Sequence, residues 1–382
     1  MSEVHGRFEP RFAAVRDAFA QNLPEEVGAA CCVYWRGAPV VDVWGGLADR
    51  DSGAPWQEDT AGIVFSTTKG LTATLVHRLV EGGVLDLDTP VAALWPEFAA
   101  EGKGGILLRD VLTHRAGLAA VDGNLTLEDV LAWQPVCDAI AAQKPNWEPG
   151  TAHGYHARSF GWILGECVRR ATGKTLGQVF AEEAAAPLGL DFWIGLPDAE
   201  QARVATLYGP PEPTDPKLIA LREKFMGPET LLGRVLSGPS NLFQYGPMWN
   251  EPAVRAAEMP SSNGIGTARA LARFYAAVIG EIDGTRLLSS ASVDRARAEQ
   301  ASGDDAVIPL PTTFGLGFML PPTLGVACPE GSFGHPGAGG SLAFADPERE
   351  LAFGYVMNQM QTGITGDPRS ERLVEALYAS ID

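Results

Sequence analysis

A serine and a lysine that could act together, Ser66 and Lys69, stand three residues apart in the segment Val-Phe-Ser-Thr-Thr-Lys-Gly at residues 64–70. Apolar residues then recur at helical spacing, so we expect a helix that begins near Ser66 and ends at Gly82-Gly83. Positions three apart share one helix face, so the Lys69 amine can approach the Ser66 hydroxyl. If its pKa is lowered, the amine can take the serine proton, and free N–H groups at the helix start can stabilise an oxyanion. The alternative is that Ser66 and Thr67 only cap the helix and Lys69 is solvated.

Two later segments hold groups that would complete such a site. The segment EPGTAHGYHARSFGWILGE places Tyr155 after a Pro-Gly turn and before a predicted helix. The segment FGHPGAGGSLAFADPE places His335, Pro336 and Gly337 at the head of a glycine-rich strand.

Together the three motifs resemble those of the serine β-lactamase and penicillin-binding-protein superfamily, which are Ser-x-x-Lys, Tyr-x-Asn or an equivalent, and Lys-Thr-Gly. Within it, the chain is most similar to the class C-related carboxylesterases called family VIII. The resemblance runs from roughly residue 10 to residue 380 and is also carried by the segments VFSTTKGLTATLVHRLVEGGVLDLDTPV, LRDVLTHRAGL and IGTARALARFYAAV.

This resemblance implies a role for each motif residue. Ser66 would be the acylated nucleophile, Lys69 its proton partner, and Tyr155 a second general acid and base that activates the deacylating water. The backbone N–H groups of Ser66 and Ala338 would form the oxyanion hole. No metal and no organic cofactor is implied.

The second and third motifs depart from the family pattern. His335 stands where the superfamily often has a lysine, and together with Gly337 it would border the substrate. A mostly neutral histidine attracts a substrate carboxylate much less than a lysine does. Ala157 stands where an asparagine would bond an acylamino group. We therefore predict a serine carboxylesterase whose partner is a small, neutral, short-chain ester. One alternative is amide chemistry by the same residues (β-lactam or D-peptide hydrolysis) or acyl transfer, and another is a non-catalytic binding protein with this fold.

The order of the elements predicts an α+β fold that is β-lactamase-like. An early hairpin at residues 28–46 and strand-like segments after residue 310 would form one antiparallel sheet from both ends of the chain, flanked by helices. Residues 1–70 and 265–382 would form this α/β domain, and residues 71–264 a mainly helical inserted subdomain, with the active site at their interface. Residues 205–262 show weak periodicity and are expected to be irregular, substrate-lining loops. Apolar residues at helical spacing predict further helices at residues 8–21, 106–113, 125–132, 159–172, 175–186 and 267–280.

Composition restricts the partners. The formal charge of −18 argues against nucleic acid and anionic lipid, because phosphates would be repelled. Neither a leader peptide nor an apolar run long enough to span a membrane is recognisable. The 5 cysteines are an odd number and include an adjacent pair in an apolar run, which predicts buried thiols and a cytoplasmic location. The oligomeric state is left open.

Several other motifs have a simpler interpretation. Ser341 approximates a lipase-type G-x-S-x-G, but the following residues read as a strand and not as the helix that a nucleophile elbow needs. Gly173-Lys174-Thr175 resembles the end of a phosphate-binding loop, but Val168 stands where that loop requires glycine.

The histidines and aromatic residues are expected to be mainly structural. His153 and His156 lack a third metal ligand at suitable spacing and would shape the Tyr155 loop, and His114 would be a bonded residue at a helix end. Some aromatic side chains in the irregular segments would face substrate, the candidates being Trp133, Trp147, Tyr208, Phe225, Phe243, Tyr245 and Trp249.

Overall fold

The computed structural model describes residues 3–363 and 366–381. The strands in this part are β1 (Val4–Phe8), β2 (Gly28–Trp35), β3 (Ala38–Asp49), β4 (Ala54–Pro55), β5 (Gly62–Ile63), β6 (Phe192–Trp193), β7 (Ile265–Gly266), β8 (Ala301–Asp304), β9 (Pro311–Phe314), β10 (Phe333–Pro336), β11 (Leu342–Asp346) and β12 (Leu351–Met357). The α-helices are α1 (Ala13–Asn22), α2 (Thr68–Glu81), α3 (Val91–Leu94), α4 (Leu108–Leu112), α5 (Leu127–Leu131), α6 (Gln134–Ala142), α7 (Ser159–Thr172), α8 (Leu176–Phe180), α9 (Ala186–Leu188), α10 (Pro216–Met226), α11 (Leu231–Ser237), α12 (Pro252–Ala256), α13 (Ala268–Ile279), α14 (Ser290–Arg297) and α15 (Pro368–Ile381). Short 3₁₀ segments lie at Pro10–Phe12, Leu23–Glu25, Phe65–Thr67, Pro96–Gly105, Asp198–Arg203 and Pro247–Asn250, and a π turn lies at Ala181–Ala185.

The central sheet is antiparallel, and its strands follow the order β1-β3-β2-β12-β11-β10, with β4 paired to β3. Strands from the two ends of the chain meet where β2 pairs with β12, from the pair Ala29 and Met357 to the pair Trp35 and Leu351. This confirms the predicted sheet. Strand β10, which carries the third motif, is the last strand in this order.

The hairpin at the start of the sheet is formed by β2 and β3. Arg36 and Gly37 join them with φ angles of 53° and 79°, as in the two-residue turns that match strand twist. Side chains alternate along a strand, so the adjacent Cys31 and Cys32 belong to cores on opposite faces of the sheet. Helix α13 packs on the Cys32 face, and α1 and α15 cover the other. All cysteines are buried and unpaired, as predicted.

The helices of the middle segment agree in part with the prediction. The pattern at residues 159–172 is α7, whereas the patterns at 106–113 and 125–132 contain the shorter α4 and α5. Residues 205–262 were expected to be irregular but contain α10, α11 and α12. All the described side chains of α10 are exposed, so this helix has no buried apolar stripe for periodicity to reveal.

The start of the chain also differs from the expectation of a helix over residues 8–21. Strand β1 precedes a 3₁₀ turn, and α1 begins only at Ala13. The reason is tertiary, because β1 pairs along β3, with Val4 opposite Gly45 and Phe8 opposite Val41.

The division into an α/β domain and a helical subdomain at residues 70/71 and 264/265 stays a prediction. Its first boundary lies inside α2, which packs against both α7 and β10. Within the described ranges, no helix has the length and apolarity needed to cross a lipid bilayer.

Candidate active site

Ser66 lies in the 3₁₀ turn Phe65–Thr67, which continues directly into α2. The helix ends before Gly82, and Gly83 takes a left-handed φ of 69°, as predicted. Phe65, the residue before Ser66, has a φ of 44°. This left-handed conformation costs a non-glycine residue about 1–3 kcal/mol and is typical of functional sites. Neither Ser66 nor Thr67 caps the helix with its side chain, so the capping alternative is wrong.

Lys69 is fully buried beneath the Ser66 hydroxyl. Its Nζ lies 3.2 Å from Ser66 Oγ and donates to the carbonyl oxygens of Ala157 at 2.6 Å and Ser261 at 3.0 Å. Burial, together with the positive charge of Arg158, holds the pKa of Lys69 well below its ordinary value. The structure therefore favours a neutral amine next to the serine.

Tyr155 approaches the same hydroxyl from the second motif. Its O–H donates to Ser66 Oγ at 2.7 Å, and burial raises the pKa of the phenol, so that it is protonated at neutral pH. Asp305 accepts the backbone N–H groups of Tyr155 at 3.1 Å and of Val307 and Ile308 at 2.8 Å. Asp305 thus positions Tyr155, although it is 150 residues away and no sequence motif marks it.

His335 lies in β10 at the side of Tyr155, with 6.0 Å between the ring centroids. Burial lowers the pKa of His335 to about 3, so the ring is neutral at physiological pH. Its Nδ1 lies 2.6 Å from the Pro336 carbonyl oxygen, whereas its buried Nε2 has no hydrogen-bond partner in the described part of the chain. The third motif therefore offers a neutral ring in place of a cation.

The chain after β10 passes very close to the segment before Ser66. A Cβ atom on Gly337 would lie 2.1 Å from both the Val64 carbonyl oxygen and Ser341 Oγ, so only glycine fits. The Gly337 N–H donates to the Ser341 carbonyl at 2.7 Å. By contrast, no backbone hydrogen bond of the described residues uses the N–H of Ser66 or of Ala338. These two groups are available to a substrate carbonyl oxygen.

Ser341 joins the same two segments. Its buried O–H donates to the Val64 carbonyl at 2.8 Å, and its Oγ lies 3.1 Å from Thr67 Oγ1. Strand β11 follows Ser341, so the strand-turn-helix context of a nucleophile elbow is missing, as expected.

Arg369 of α15 holds the other side of this glycine-rich loop. Its Nη2 donates to the Gly339 carbonyl at 2.5 Å, and its guanidinium pairs with Glu26 at 2.7 Å and Asp367 at 2.8 Å. Burial raises the pKa of Glu26 to about 8 despite the adjacent arginine. The C-terminal helix is thereby tied to the loop that carries the Ala338 N–H.

Ser66, Tyr155 and Ala338 open into one cavity of about 350 Å³. Of the seven aromatic residues considered from the sequence, only Tyr245 lines it. Sequence reasoning missed two arginines in the wall, Arg158 and Arg222. The available signal for Arg158 was a charged residue directly before the apolar helix α7.

His114, His153 and His156 shape the Tyr155 loop through hydrogen bonds. His156 Nε2 accepts the Leu118 N–H at 2.9 Å, and His114 Nδ1 accepts the His156 N–H at 3.1 Å. His153 Nε2 lies 3.0 Å from a threonine hydroxyl. The Gly173-Lys174-Thr175 sequence is a helix junction, in which Gly173 ends α7 with a φ of 74° and Thr175 caps α8.

The chain is similar to known proteins in both sequence and structure. Residues 16–377 match the family model described as Beta-lactamase. The chain is 39% identical to "Esterase/beta-lactamase LipL" of Mycobacterium tuberculosis (strain ATCC 25618 / H37Rv) over 94% of this chain and 83% of the relative. A solved family VIII carboxylesterase is 40% identical over 99% of this chain and 100% of that one, with a TM-score of 0.89. EstA from Arthrobacter nitroguajacolicus Rue61a is 34% identical over 100% of this chain and 98% of its own, with a TM-score of 0.88.

The predicted fold and resemblance are therefore confirmed, since the match covers almost the whole chain and includes the three motif segments. On these grounds the protein belongs to the beta-lactamase family and is a serine hydrolase.

Proposed function

We propose that this protein is a carboxylesterase that hydrolyses small, short-chain esters through an acyl-enzyme on Ser66. The observation that carries the proposal is the convergence of Lys69 Nζ at 3.2 Å and the Tyr155 O–H at 2.7 Å on one hydroxyl. The relatives support it, because they include an esterase/beta-lactamase and a family VIII carboxylesterase. The cavity of about 350 Å³ is at the small end of ligand sites, which favours a small ester.

The hydrogen bonds of Lys69 favour it as the base that accepts the serine proton. A neutral amine has two N–H groups and one lone pair, and the carbonyls of Ala157 and Ser261 take the two N–H groups. The lone pair is then left for the Ser66 O–H. Burial raises the pKa of Tyr155, so this phenol is already protonated and cannot accept the serine proton, but it can donate its own.

The reaction would follow from these positions. Ser66 Oγ attacks the ester carbonyl as its proton passes to Lys69, and the N–H groups of Ser66 and Ala338 stabilise the oxyanion. Tyr155 protonates the leaving alcohol and recovers its proton from Lys69. Water then enters, loses a proton to the same pair and attacks the acyl-enzyme. The pair returns this proton to Ser66 Oγ as the bond to the acyl group breaks and the carboxylic acid leaves.

β-Lactam hydrolysis is the second candidate, because the relative from Mycobacterium tuberculosis carries both activities in its name. The third motif gives it no support, since the neutral His335 offers no cation to a β-lactam carboxylate.

The deciding experiment compares turnover of p-nitrophenyl butyrate and nitrocefin, and locates a fluorophosphonate adduct by mass spectrometry. We expect ester turnover and a label on Ser66, loss of both in Ser66→Ala, and strongly reduced turnover in Tyr155→Phe. Dominant nitrocefin turnover would favour the second candidate. The absence of both label and turnover in the folded protein would mean that it is not catalytic.

A further inference from the structure

The charge of the cavity wall is opposite to that of the whole protein. The chain has 47 acidic and 29 basic side chains and a formal charge of −18. Yet the cavity lining contains two arginines, Arg158 and Arg222, and no aspartate or glutamate among the described residues. The charged side chains that line this cavity in the described part of the chain are therefore basic.

Arg158 is buried, with 6% of its surface exposed, and its electrostatic partners among the described residues are Tyr245 and Tyr155 and no carboxylate. Its Nη1 donates to the carbonyls of Val235, at 3.2 Å, and Leu236 near the end of α11. These bonds hold the guanidinium without neutralising it, and the buried Nε has no acceptor in the same described part. A buried charge without a counter-ion lowers the stability of the folded protein. Such an arrangement is therefore typical of a site that binds an anion.

The surroundings keep this guanidinium in place. Its Cζ lies 4.5 Å from the Phe243 ring centroid and 6.0 Å from that of Trp249, over the aromatic faces. Both rings are buried, so the cation is held rigidly in the wall. The guanidinium therefore does not need to reorganise before it binds an anion.

Arg222 lies on α10 on the solvent side of the same cavity. Its partner is Glu212 at 3.0 Å, and the two side chains are 52% and 82% exposed. Exposed pairs of this kind contribute little, so a ligand carboxylate can replace Glu212 at small cost.

We propose that the substrate of this site is an ester that carries a carboxylate away from the scissile bond, which Arg158 binds inside the cavity and Arg222 attracts at its mouth. This inference rests on the proposed esterase function and replaces the expectation of a wholly neutral substrate. The expectation of a neutral substrate was based on Ala157 and His335 alone, whereas the two cations are Arg158 and Arg222. The carboxylate can belong to the acyl or to the alcohol part.

The test uses two matched pairs of esters. Mono-p-nitrophenyl adipate is compared with p-nitrophenyl hexanoate for the acyl side, and 4-(butyryloxy)benzoate with phenyl butyrate for the alcohol side. We expect kcat/KM to be about 10- to 100-fold higher for the anionic member of one pair, as for a charge-assisted hydrogen bond. Added salt should reduce this preference.

Variants then assign the preference to the arginines. Arg158→Met and Arg222→Gln should each lower the anionic-to-neutral ratio, and Arg158→Lys, which keeps the charge, should retain part of it. Lys217→Gln is the matched control, because Lys217 lies on the same helix but does not line the cavity. If Arg158→Met does not fold, the wild-type ratio and Arg222→Gln still decide.

Equal kcat/KM within both pairs would overturn the inference, and so would a preference that survives in all folded arginine variants. Either result leaves the esterase proposal intact, since the neutral esters would still be hydrolysed. Failure of the esterase proposal is a different result, namely no turnover of any of the four esters and no label on Ser66.

Discussion

Gly337→Ala tests whether the position of the Ala338 N–H relative to Ser66 controls the rate. The new Cβ atom would lie 2.1 Å from the Val64 carbonyl oxygen, where ordinary contact begins at 3.4 Å. The backbone must therefore move by about 1.3 Å at this point. Val64 belongs to the segment that leads to Ser66, so this movement separates the two proposed oxyanion donors.

The size of the effect follows from this displacement. A misplacement of about 1 Å can cost about 100-fold in rate, and loss of one oxyanion donor costs about 100- to 1000-fold in kcat. We expect kcat to fall about 100-fold with a smaller change in KM, because the donors act mainly in the transition state. Overpacking should also lower the free energy of unfolding by about 1–3 kcal/mol.

The assay measures kcat and KM with p-nitrophenyl butyrate, and stability by urea unfolding. Gly105→Ala is the matched control, since a Cβ atom at this position would have no neighbouring atom within 4 Å and the φ of Gly105 is not left-handed. That variant should keep wild-type kcat and change stability by less than about 0.5 kcal/mol. A folded Gly337→Ala protein with wild-type kcat would refute the reasoning about this loop.

Three further predictions concern other parts of the site. Burial holds the pKa of Lys69 in the folded protein below its value in the unfolded chain, so the unfolded chain binds more protons at this group. The stability of wild type relative to Lys69→Met should therefore rise with pH from neutral to alkaline, by up to about 1.4 kcal/mol per pH unit. Urea unfolding of the two proteins without this pH dependence would mean a charged Lys69. Arg369→Met removes the hydrogen bonds of Arg369 to Glu26, Asp367 and the Gly339 carbonyl, and should lower the free energy of unfolding by about 1–3 kcal/mol and also lower kcat. An unchanged kcat at low temperature would show that the bond to Gly339 does not position the loop. Ser341→Ala loses a structural hydrogen bond and should lower the free energy of unfolding by about 1 kcal/mol, while the fluorophosphonate still labels Ser66. A folded but inactive variant would make Ser341 the better candidate nucleophile.

The sequence determined what depends on neighbours along the chain. The Ser66–Lys69 spacing and the pair Gly82-Gly83 were enough to place a helix start and a helix end, and the Arg-Gly-Ala turn at residues 36–38 was enough for the hairpin. Helical spacing places side chains within one turn, and a tight turn fixes which strands pair. The resemblance of the motif segments then supplied the family, which the comparisons confirm.

Tertiary structure decided whatever joins distant residues. Asp305 holds Tyr155 across 150 residues, and β1 is a strand because β3 lies beside it. Arg158 has no carboxylate partner in the described part of the chain, and a sequence cannot show this either. The fold decides which carboxylates lie near the cavity and which do not. Local propensity cannot report such features, because burial and Coulomb interactions depend on distances in space and not along the chain.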